Sequence, residues 1–205
     1  MNIKNRFLKN NLSSTMPLEI STIYFYQIIS IYPLPIANSL KSDYNSQCPK
    51  SDKGDDMMKE ALRTYNSIIK EDNKIYHQLA KRFGLSDCAF GILYDLRESA
   101  KPQTQSDLCQ TLCQPKQTIN SALKKLEKDG YIVLTHTKDQ RSKEITLTRQ
   151  GMAFAQRTVD VVYDIELSVM ASLSEQEQKQ FIDILKRYSN TLKEYTQEIL
   201  KGEDV

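Results

Sequence analysis

The stretch PKQTINSALKKLEKDGYIVLTHTKDQRSKEITLTR, residues 115–149, changes its period once, and that change decides the fold. From its start the apolar residues Ile119, Ala122, Leu123 and Leu126 recur at three- and four-residue steps, which predicts a helix. Gln114-Pro115-Lys116 opens it and Asp129-Gly130 ends it. Proline suits a first helical turn because its missing N–H is not needed there, and glycine suits the stop. Past Gly130 the pattern shortens. Tyr131 to Thr137 and Lys143 to Thr148 are rich in β-branched residues that roughly alternate. The polar run Lys138-Asp139-Gln140-Arg141-Ser142 separates them, so this part reads as a β-hairpin with a charged tip.

Working outward, Leu108 and Leu112 mark a short helix that Thr104 or Ser106 can cap, after a break at Pro102. Ser86 and Asp87 offer an N-cap for a helix that buries Phe90, Leu93, Tyr94 and Leu96. From Met57 to about Phe83, Leu62, Tyr65, Ile68, Ile69, Ile75, Tyr76 and Leu79 describe a long amphipathic helix stopped by Gly84. Two helices close the chain. One runs from about Arg149 to Ala171, and the other starts at Ser174, whose spacing to Glu177 is that of a capping box. The fold class is therefore mainly α with a small β-hairpin wing. A winged helix-turn-helix occupies residues 86–148, and residues 57–83 and 149–200 supply dimerisation helices. The outer helices carry more apolar surface than a small lobe can cover, which predicts a homodimer using residues such as Ile68, Tyr188, Leu192 and Tyr195.

The chain of 205 residues has a net charge of only +2, so the distribution of charge carries more than the total. Between Gln114 and Arg149, eight basic residues (Lys116, Lys124, Lys125, Lys128, Lys138, Arg141, Lys143, Arg149) meet four acidic ones (Glu127, Asp129, Asp139, Glu144). That local excess suits phosphate neutralisation. Opposite the apolar stripe of the helix lie Gln117, Asn120, Ser121 and Lys124, with Lys116 and Thr118 near its start. Amides can bond an adenine edge in two places, and hydroxyls or lysines reach bases or phosphates. Lys138 and Lys143 flank the wing, where phosphate contacts are expected. Double-stranded DNA is therefore the expected partner.

The runs Gln105-Ser106-Asp107-Leu108 and Pro115 to Ile132, the triplet Asp139-Gln140-Arg141, and Leu147-Thr148-Arg149-Gln150-Gly151 resemble, in order and spacing, the MarR family of transcriptional regulators. The resemblance covers nearly all of residues 57–205. It implies a homodimeric, ligand-responsive repressor on a pseudo-palindromic operator, with the Gln114–Lys128 helix in the major groove. It further implies that Arg141 enters the minor groove with its guanidinium held by Asp139, and that a small effector binds between the dimerisation helices and the DNA-binding lobe.

Residues 1–56 match nothing in that pattern and read as a poorly ordered leader. Lys53-Gly54-Asp55-Asp56 before Met57-Met58 can be encoded by a purine-rich ribosome-binding sequence, which suggests a mis-annotated start. The apolar stretch from Leu18 to Ala37 is interrupted by Glu19, Gln27 and two prolines, so neither a signal peptide nor a membrane partner is expected. The four cysteines (Cys48, Cys88, Cys109, Cys113) form no CxxC pair and read as reduced thiols of a cytoplasmic protein. Cys109 and Cys113 lie four apart and could share a face of the short helix; two small, half-buried residues of the helix-turn-helix core are expected there, with a thiol switch or half of a metal site as the alternative. His77 and His136 have no ligand spacing to them, so no metal and no cofactor are expected. No Gly-rich phosphate loop, GxSxG or HExxH motif marks an enzyme. A winged helix that serves as a protein-interaction module is the competing reading.

Overall fold

The computed structural model of the protein describes residues 52–99, 101–136 and 142–201. Helix α1 spans Asp52–Arg82, a length of roughly 46 Å at 1.5 Å per residue. It begins before Met57 and takes in residues that the sequence reading assigned to the leader. Asp55 and Asp56 near its start oppose the positive helix terminus, and Lys59 reaches Asp55 at 2.5 Å one turn on. Residues 1–51 lie outside the described residues.

Gly84, at φ +74°, closes α1. Its N–H bonds to Lys81 O at 3.0 Å, and Leu85 N–H reaches back to Ala80 O at 2.9 Å, the paired bonds of a Schellman stop. Helix α2 follows over Asp87–Glu98, capped by Ser86 Oγ, which accepts from Ala89 N–H at 3.2 Å. Eight of its twelve residues, Cys88 to Asp95, are buried, so α2 is the central helix of the core. Strand β1 (Gln103–Thr104) leads into α3 (Gln105–Thr111). Thr104 is the cap, because its hydroxyl and backbone both pair with Asp107 in a capping box.

Helix α4 spans Lys116–Lys128 with Pro115 at its N-cap, one position before the first turn where the sequence reading placed it. It buries Ile119, Ala122, Leu123 and Leu126 against α2 and α3. Gly130, at φ +76°, turns the chain into strand β2 (Ile132–His136), which pairs antiparallel with β3 (Lys143–Leu147). The hairpin is part of a three-stranded sheet of order β1-β3-β2, since Gln103 and Thr104 pair with Ile145 and Glu144.

The helix expected from Arg149 to Ala171 is two helices, α5 (Arg149–Arg157) and α6 (Val159–Ala171). The break is at Thr158, whose φ −125° and ψ −76° leave helical space. Its hydroxyl donates to Phe154 O at 2.9 Å, a local bond of the kind that competes with the helical ladder. The β-branched run Val159, Val161 and Val162 follows at once, and Val159 and Val162 are drawn into the core. Helix α7 (Glu175–Leu200) starts in the capping box of Ser174 and Glu177 that the sequence announced.

The core lies among α2, α3, α4, the sheet and the start of α6, with Phe90, Leu93, Leu108, Leu126, Ile145 and Val162 fully buried. The outer helices contrast with it. No described side chain of α7 is buried, and Ile68, Tyr188, Leu192 and Tyr195 are all exposed, Tyr195 to 67%. Tyr65 and Tyr188, with ring centroids 5.3 Å apart, connect α1 to α7.

Candidate nucleic-acid interface

Helix α4 is two-sided. Because its apolar stripe is locked into the core, Lys116, Gln117, Thr118, Asn120, Ser121 and Lys124 are all exposed on its outer side. The six α4 residues singled out from sequence therefore share one accessible face. Ser121 differs in one respect from the expectation, since its hydroxyl donates to Gln117 O at 2.9 Å and offers only its lone pairs outward. Lys125 is drawn aside by Asp129 at 2.9 Å, whereas Lys116, Lys124 and Lys143 form no ion pair among the described residues. Lys143 is exposed on β3. Lys138, Asp139 and Arg141 lie outside the described residues.

Between α4, the start of α3 and the sheet runs a cleft of about 650 Å³. Leu123, Leu134 and Ile145 form its floor, and Lys116, Asn120, Lys124, His136 and Lys143 stand around it. No acidic side chain among the described residues lines it. Ser106 and His136 belong to this cleft, yet the sequence reading weighed His136 only as a metal ligand. The hairpin register pairs His136 with Lys143, a signal available once the strands are aligned.

A second cluster joins the lobe to the outer helices. The phenols of Tyr76 on α1 and Tyr94 on α2 donate to the two oxygens of Glu166 on α6, at 2.6 and 2.5 Å. Burial, reinforced by the bond to Glu166, holds the Tyr94 phenol well above its ordinary range. Arg97 on α2 grips Asp160 on α6 with two bonds of 2.8 and 2.6 Å, a bidentate geometry that fixes one helix against the other. Glu98 is partly exposed, yet desolvation together with Glu166 and Asp95 pushes its carboxyl up to about 7.

The cysteines do not share a face. Cys88 is buried, which pushes its thiol up to about 11, and Cys109 is half-buried. Cys113 lies past the end of α3 at φ +47° and is exposed, because Leu112 already caps that helix. The half-buried setting expected for both residues holds for Cys109 and is corrected for Cys113. No cluster of metal-ligating side chains occurs among the described residues, and no described helix is long and apolar enough to cross a membrane.

The MarR family model matches residues 83–142. An uncharacterised HTH-type transcriptional regulator of Bacillus cereus is 31% identical over 116 residues, covering 56% of this chain and 77% of that one. Among solved structures, the S. aureus MepR–DNA complex is similar with a TM-score of 0.53 and 23% identity, over 63% of this chain and 96% of that one. A MarR family regulator from Neisseria meningitidis, NMB1585, is similar with a TM-score of 0.56 and 20% identity, over 67% and 97% of the two chains.

Proposed function

The chain belongs to the MarR family of winged helix-turn-helix transcriptional regulators, and from that premise we propose that it is a homodimeric, ligand-responsive repressor of a pseudo-palindromic operator. One observation carries this reading: the amide- and lysine-bearing face of α4 is exposed beside a cleft that, among the described residues, is lined by lysines and no carboxylate. An interaction module would present apolar residues on that face instead.

In this reading α4 enters the major groove. Gln117 and Asn120 read base edges, and Thr118 and Ser121 supply hydroxyl contacts. Lys116, Lys124, Lys138 and Lys143 meet phosphates and set the register. Arg141, held by Asp139, enters the narrow minor groove beyond the half-site. Two copies join through α1, α6 and α7, whose exposed Ile68, Val169, Leu192 and Tyr195 need a partner surface. An effector acts at the junction that Tyr76, Tyr94 and Glu166 build between the lobe and the outer helices, changing the separation of the two α4 helices. The role is binding, with no catalytic step.

The test is selection of bound duplex from a random pool, repeated with candidate effectors. A two-fold motif with half-site centres about 10 bp apart is expected. Asymmetric or single-stranded winners contradict the reading.

A further inference from the structure

Resting on the DNA-binding reading above, we propose that the cleft between α4 and the sheet is a proton-linked phosphate site. In it His136 and Lys143 together hold one phosphate of the DNA backbone.

The two residues are direct cross-strand partners, His136 on β2 and Lys143 on β3, and both line the cleft. When the imidazole carries its proton, two cations stand opposite each other on a strand pair, an arrangement that costs stability in a bare sheet. An anion between them removes that cost and gains two charge-assisted hydrogen bonds. Among the described residues, no carboxylate on the cleft lining supplies the anion from within the fold. The remaining groups that face His136 across the cleft agree. Lys116 and Lys124 approach from α4, Ser106 and the half-buried thiol of Cys109 from α3, and none of these is a carboxylate. The nearest carboxylate on the adjoining strand, Glu144, pairs across the ladder with Thr135 and Thr104 and is not part of the lining.

A phosphate is the chemistry that fits. It presents several acceptor oxygens to donors that come from a strand pair and a helix at once, and the exposed Lys116, Asn120 and Lys124 of α4 line the same cleft. Histidine changes charge between pH 5 and 8, so the contact should take up a proton as DNA binds and should strengthen as pH falls. That makes His136 a second kind of positioning residue beside the permanently charged lysines.

The experiment is a titration of the full chain on its selected duplex at pH 6 and pH 8, each at two salt concentrations. Wild type is compared with His136→Gln, Lys143→Gln and His77→Gln. The last removes the other of the chain's two histidines, which pairs with Asp87 and does not line the cleft. Wild type and His77→Gln should bind roughly three- to tenfold tighter at pH 6, with a salt slope steeper there by about 0.9. His136→Gln should bind with equal affinity and slope at both pH values, while still preferring the selected sequence. Lys143→Gln should weaken binding at both. Equal pH dependence in wild type and His136→Gln, or its loss in His77→Gln instead, overturns the proton-linked site and leaves the regulator reading intact. Failure of wild type to prefer its duplex at either pH overturns both.

Discussion

Replacing Gly151 by alanine probes the joint that sets the wing against the outer helices. Gly151 lies in the first turn of α5, and its N–H donates to the capping hydroxyl of Thr148 at 2.9 Å. A Cβ there would stand 1.8 Å from Tyr131 O, 2.7 Å from its carbonyl carbon and 3.0 Å from its Cα. These are backbone atoms and cannot swing away. Restoring ordinary contact, which begins near 3.4 Å, requires the two backbones to part by about 1.6 Å. Thr148 ties the same segments together, its N–H bonding to Tyr131 O at 3.0 Å and its hydroxyl donating to Gly130 O at 2.6 Å. Parting the backbones breaks both bonds. Overpacking costs about 1–3 kcal/mol and each lost bond about 1 kcal/mol, so Gly151→Ala should destabilise by roughly 3–5 kcal/mol. For a fold of this size the melting temperature should fall by roughly 10 °C. Far-UV circular dichroism melts at fixed protomer concentration read this directly. Gly84→Ala is the contrast: open space surrounds the added methyl, and only the left-handed φ of +74° penalises it, by about 1–2 kcal/mol. A Gly151→Ala melt within about 2 °C of wild type, or one no worse than Gly84→Ala, refutes the reasoning.

Gln117→Ala should cost about 1–3 kcal/mol on the best site and relax base preference at one position, while Lys143→Ala should weaken matched and scrambled duplexes alike. Identical behaviour of the two variants in salt-dependent titrations contradicts the assigned roles. Leu192→Asp, at an exposed position of α7, should shift sedimentation from dimer to monomer and reduce DNA binding with it; an unchanged dimer places the interface elsewhere. Glu98, with its carboxyl raised to about 7, contributes stability that is complete below the ordinary glutamate range and lost as pH rises through about 7. Solvent screens the effect on this partly exposed group, so Glu98→Gln should gain only slightly in melting temperature relative to wild type at pH 8, and not at pH 4. An equal difference at both pH values contradicts it.

Helices α1 and α4 were legible because each has its own apolar period and a glycine stop, at Gly84 and Gly130, with the φ that favours glycine. The capping box at Ser174 was legible for the same reason: its partners are three residues apart. What escaped the sequence depends on distant partners. Strand β1 has two residues, too few for any period, and exists because Ile145 and Glu144 pair with it. The break at Thr158 falls just before Val159, Val161 and Val162, in an apolar pattern that looks continuous; only the bond to Phe154 O and the burial of Val159 show it. Tyr94 and Glu166 are 72 residues apart, so their bond has no local signature. His136 was visible in the sequence, yet its meaning came from facing Lys143 and the floor of the cleft.

In the proposed function, two copies read one two-fold site through α4. The most direct measurement of this is the stoichiometry and affinity of the full chain on a selected duplex and on the same duplex with one half-site scrambled. Two protomers are expected on the intact site, with a large loss of affinity when either half is scrambled. One protomer per duplex, or equal affinity for the intact and half-scrambled sites, contradicts it.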